Sequence, residues 1–190
     1  DEGSQLEQAE AVLAERKGEV ALVTIDIGGN DLLACVRGGA QIDAACVTKG
    51  VATVEKNLPT ILERLRTAAG PEVPVLVLGY YNPWVAAQTL DQPVEGVEEA
   101  AQGYADLSDA IEAAADGAGA TFVSLDEAFA TNDTTPTEIG GRTIPENAAR
   151  VCTLTNLCTA RDIHFSEEGA ATVARVLADA ATTAGVGAAS

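Results

Sequence analysis

Two short runs constrain this chain most: "VALVTIDI" at residues 20–27 and "VPVLVLG" at 73–79. Both are almost unbroken stretches of β-branched and apolar residues. An antiparallel strand with one wet face would alternate polar and apolar positions. A continuous apolar run instead predicts a strand covered on both faces, as in a parallel sheet flanked by helices. Helical patterns separate the runs. Leu6, Ala9, Val12 and Leu13 recur at helical spacing in 5–17, which Gly18 ends. Val54, Leu58, Ile61, Leu62 and Leu65 do so in 51–69, where Pro59 predicts a kink or a restart. A third helix is expected over 96–116, and a third strand in "ATFVSLDEAF" from 120. Residues 130–160 show little periodicity. A last helix follows Ser166, a good N-cap, with Glu167 and Glu168 placed for the helix dipole. The tail "AGVGAAS" is expected to fray. Strands alternating with helices predict one α/β domain over residues 1–190, built on a doubly wound parallel sheet.

Composition narrows the function. Hydrophobic residues make up 47% and charged residues 21% of 190 residues, which suits a globular domain with a real core. The net charge of -18 disfavours nucleic acid and anionic membranes, since both select basic surfaces. No apolar run reaches the length of a membrane span. The chain opens on "DEGSQLEQAE" without Met, as a mature or excised piece would. Cys35, Cys46, Cys152 and Cys158 form two close pairs. Their local spacing favours two loop disulfides, 35–46 and 152–158, and hence a secreted protein. Zinc fits poorly, because neither pair is CxxC and the chain has one histidine. Reduced, functionally silent cysteines are the other alternative.

Candidate chemistry lies where open α/β sheets place it, beyond the carboxyl ends of the strands. Gly28-Gly29-Asn30-Asp31 follows the first run. Its glycines allow a tight turn, Asn30 can aim an NH2 group at a developing oxyanion, and Asp31 can hold the turn. A plain capped turn has the same composition. No phosphate-binding glycine motif occurs. Asp162 and His164 lie before the last helix. A carboxylate beside an imidazole can fix its tautomer and make a general base, although a surface histidine beside an acid reads alike. Tyr80, Tyr81 and Trp84 in "YYNPW" either line a pocket or simply cover the sheet. A metal-dependent hydrolase on Asp26, Asp31, Asp162 and His164 is a weaker alternative, with one histidine to offer.

Taken together, "VTIDIGGNDLLACV", "GYYNP" and "DIHFSEEGAATVARVLADA" resemble the SGNH, or GDSL-type, hydrolase family, in particular secreted bacterial esterases and lipases. The resemblance implies a flavodoxin-like three-layer α/β/α fold and a serine carboxylic-ester hydrolase acting on a small-molecule or lipid ester without a cofactor or metal. By that likeness Asn30 is an oxyanion-hole donor, Gly28, Gly29 and Asp31 form its turn, His164 is the base and Asp162 its acid. The family's G-D-S block, which carries the nucleophile, and its second, glycine-bearing block have no counterpart here. In the family both precede the G-x-N-D block, and 27 residues precede Gly28. The chain is therefore expected to lack the first two strands of the usual five. Ser4, Ser108, Ser124, Ser166 and Ser190 offer no replacement: one sits near a helix start, one in a helix, one in a strand, one at an N-cap and one in the tail. The nucleophile is unknown. A catalytically inactive SGNH-like binding or scaffold module is the alternative reading. The bare edge of strand 20–27 predicts a partner, either an N-terminal segment, a second chain or a homo-oligomer.

Overall fold

The computed structural model describes residues 3–37, 41–89 and 95–187. Helix α1 (Gln5–Glu15) leads to strand β1 (Val23–Ile25) and the short helix α2 (Gly29–Leu33). Two-residue strands β2 (Val36–Arg37) and β3 (Gln41–Ile42) precede the long helix α3 (Ala44–Ala69) and strand β4 (Val75–Leu78). A 3₁₀ turn at Pro83–Thr89 follows, then α4 (Val97–Ala118) and β5 (Thr121–Val123). A hairpin of β6 (Pro136–Ile139) and β7 (Arg142–Pro145), then α5 (Glu146–Leu154), α6 (Leu157–Ala160) and α7 (Glu167–Thr183), complete the chain.

The main sheet is parallel, in the order β1-β4-β5. All four residues of β4 are buried. Strand side chains alternate between faces. Val75 and Val77 accordingly join a core with Leu58 and Leu62 of α3 and Leu107 and Ile111 of α4. Leu76 and Leu78 join a second core with Val151 and Leu154 of α5 and Val173 of α7. The result is a helix layer on each face of one sheet. Each fully buried Leu or Ile in these cores stabilises by roughly 1.5–3 kcal/mol.

Several expectations need correction. The run 20–27 is not buried on both faces: β1 has three residues, Thr24 is exposed, and Val23 and Ile25 are half-buried. The cause is position. β4 flanks one side of β1, and among the described residues no strand pairs with the other. The second helix starts at Ala44, because the Asp43 side chain accepts from the Cys46 N–H at 3.1 Å and caps it. Pro59 does not restart it: α3 runs through the proline as one 26-residue helix. Residues 130–160 are not irregular. They hold the β6–β7 hairpin, α5 and α6. Ser124 lies just past β5, not inside a strand. The last three residues of the tail, Ser190 among them, lie outside the described residues.

Both disulfides have the expected pairing, Cys35–Cys46 and Cys152–Cys158. The first ties the end of α2 to the first turn of α3. The second ties α5 to α6, four residues before Asp162. Removing either pair is expected to cost about 2.5 kcal/mol, the chain-entropy scale for such short loops. Urea unfolding of Cys152→Ala/Cys158→Ala against the parent checks this, and an unchanged midpoint would contradict it. Among the described residues no helix is long and apolar enough to cross a membrane.

Candidate active site

The first half of the site grows from the end of β1. Beyond Ile25 the chain passes Asp26 and turns at Gly28, whose φ of 114° suits only glycine without strain. The turn closes as the Asp31 N–H donates to the Gly28 carbonyl at 3.1 Å, and α2 begins. Leu32 is buried and Cys35 is locked to α3, so the exposed Asn30 side chain rides on an anchored element. Gly29 cannot carry a side chain: a Cβ there would lie 2.6 Å from Cε1 of Tyr80.

The second half is the loop between α6 and α7. Asn156 laces it. Its N–H donates to the His164 carbonyl at 3.0 Å and its Nδ2 to the Phe165 carbonyl at 3.2 Å. The Ser166 N–H donates to Leu154 O at 3.0 Å. Within this frame Asp162 folds back on His164. Its Oδ1 accepts from the His164 backbone N–H at 3.0 Å and meets Nδ1 of the imidazole at 2.5 Å. These contacts, the backbone one first, hold the Asp162 carboxyl below the usual aspartate range. With Nδ1 committed to Asp162, Nε2 is the ring nitrogen open to a reacting group. The His164 side chain is 84% exposed, so nothing among the described residues covers that imidazole.

A depressed native pKa has a definite consequence. It contributes stability that is fully present above the unfolded value, about 3.9, and is lost as pH falls through the native value. The Asp162 carboxyl is expected to titrate below an ordinary aspartate in a carbon-13 NMR experiment. In His164→Ala it should move part of the way back, because the backbone N–H remains. A midpoint at or above the ordinary value in the parent would contradict the pairing.

The two halves meet at one cavity of about 340 Å³, lined by Asn30, Gly29 and Asp26 from one side and Ile163, His164 and Phe165 from the other. Tyr80, Tyr81 and Tyr104 contribute much of its wall. Burial raises all three phenols, Tyr104 to about 12. For Tyr80 the Asp26 carboxylate adds to that rise by accepting its hydrogen. These phenols stay neutral donors at any ordinary pH.

Asp162 does not line the cavity and stands behind the imidazole. Asp31 faces a separate crevice beside Val54 and Asn57. The suggested metal set of Asp26, Asp31, Asp162 and His164 is thus divided, and among the described residues no group of three or more His, Cys, Asp or Glu could hold an ion. Tyr80 and Tyr81 line the cavity as one reading of the aromatic loop had it. Trp84 does not, and packs instead against the core on the α3–α4 face. Tyr104, Leu33, Leu125 and Phe165 are wall residues that the sequence did not single out. Four serines are described, and none lines the cavity. Ser4 and Ser166 cap α1 and α7. Ser108 lies in α4. Ser124 bonds the Asp126 carboxylate at 3.0 Å.

Comparison with curated proteins and with solved structures returned no match. A family model, that of the GDSL-like lipase/acylhydrolase family, matches residues 2–172. That span holds β1, the Asn30 turn, the sheet and the Asp162–His164 loop. With nine-tenths of its length matched, the chain belongs to the GDSL-like lipase/acylhydrolase family of ester-hydrolysing enzymes.

Proposed function

We propose that the chain supplies the base, its acid and one oxyanion donor of a serine carboxylic-ester hydrolase. The observation that carries this is the Asp162–His164 contact at Nδ1, with the imidazole and Asn30 lining the same cavity. The nucleophilic serine is carried by a segment paired along the edge of β1 that no described strand covers. Two features support that placement. Among the described residues one edge of β1 is unpaired, and such edges recruit strands. A parallel strand there would end beside Asn30, at the carboxyl end of the sheet where sites form.

The reaction then runs as follows. His164 Nε2 takes the serine proton as Oγ attacks the ester carbonyl. Asp162 stabilises the imidazolium, and Asn30 Nδ2 donates to the oxyanion. Collapse expels the alcohol, which takes the proton from His164. Water repeats the sequence on the acyl-serine, releasing the acid and the free hydroxyl. The small, mainly apolar cavity favours a short acyl chain. Two disulfides favour a secreted setting. Hydrolysis of a short-chain aryl ester by the chain combined with its serine-bearing segment, and none by the chain alone, is the expected result. A full rate from residues 1–190 alone would overturn the placement of the serine. No rate from either form would leave a binding module.

A further inference from the structure

Tyr80 and Tyr81 leave β4 side by side and part to opposite faces of the sheet. Tyr80 packs with the α3–α4 core and Tyr81 with the α5–α7 core. The Tyr80 ring lies flush on Gly29, one residue from Asn30. Tyr80 also shares the cavity lining with Asp26 and Gly29, on either side of the Gly28 turn. The buried Tyr81 ring stacks on Phe129 with centroids 4.6 Å apart, and a tilted contact of 5.9 Å brings in Phe165. Its hydroxyl donates to the carbonyl of Ile163, the residue between Asp162 and His164. Each tyrosine thus touches one half of the site, and a single peptide bond joins them.

We infer that the Tyr80–Tyr81 pair is a positioning clamp, in which Tyr80 fixes the Asn30 turn, Tyr81 fixes the Asp162–His164 loop, and β4 sets the spacing between them. The clamp acts through backbone groups and ring packing, and neither phenol meets the reacting atoms. It rests on reading Asn30 and His164 as parts of one site.

Amide hydrogen exchange in the full chain tests it with Tyr80→Leu, which removes the ring lying on Gly29, and Tyr81→Phe, which keeps its ring and removes the hydroxyl. Tyr81→Phe should speed exchange at Asn156, Asp162 and His164 about tenfold, the scale of one net hydrogen bond. Gly29, Asp31 and Ala34 should not change. Tyr80→Leu should show the reverse pattern. In the active assembly each variant should lose about tenfold in kcat with KM held. Exchange that is unchanged, or raised uniformly across the sheet and helices, would overturn the clamp, because a merely structural role is not local. Local exchange changes without ester turnover in any form would uphold the clamp and sink the hydrolase reading. Turnover in the parent with unaltered exchange and kcat in both variants would do the opposite.

Discussion

His164→Ala is expected to lower kcat/KM for a short-chain aryl ester by about 10⁴-fold or more in the active assembly. The loss is large because in the proposed mechanism the imidazole moves the proton in both half-reactions, and the chain has no other histidine. Residual rate would come from Asn30 and substrate binding. Asp162→Asn is expected to cost on the order of 10⁴-fold, since the amide can present an N–H to Nδ1 and select the wrong tautomer. Stability separates chemistry from folding here. The His164 side chain is 84% exposed, and exposed substitutions usually stay within about 0.5 kcal/mol. A His164→Ala protein with a parent-like urea midpoint and parent-like turnover would remove the base from the account.

Asn30→Ala is expected to reduce kcat by about 10²–10³-fold with a small change in KM, the usual cost of one oxyanion donor. The side chain is exposed on the first turn of α2, and alanine is the better helix former, so the element should persist. Asn30→Asp should be worse than Asn30→Ala, because it places a carboxylate where negative charge develops. Steady-state kinetics of the three forms decide this. Equal kcat in all three would show that Asn30 only belongs to the turn that opens α2.

The parts legible in sequence were those whose environment is local or fully enclosed. "VPVLVLG" reads as a buried strand because β4 is the central strand, with a core on each face. "VALVTIDI" looks the same on paper, yet β1 is half-exposed, since what lies beside a strand is a tertiary fact. Asp162 and His164 were legible because an Asx-type turn folds D-x-H back on itself. The β6–β7 hairpin carries a short local signal within an otherwise aperiodic stretch: Gly140-Gly141, at φ 59° and 77°, is a two-residue hairpin turn. α5 hid because its buried face includes Asn147, which donates to the Thr131 carbonyl and breaks the apolar period. The reach of Tyr80 to Gly29, and of Tyr81 to Ile163, joins residues some 50 to 80 positions apart and leaves no trace in local pattern.

The central claim is that this chain provides the acid–base and oxyanion parts while the nucleophile comes from a partner segment. Fluorophosphonate labelling of the active assembly, followed by peptide mass spectrometry, tests it most directly. The account predicts one labelled serine, outside residues 1–190, and no label on the isolated chain. Stoichiometric label on Ser4, Ser108, Ser124 or Ser166 would contradict it.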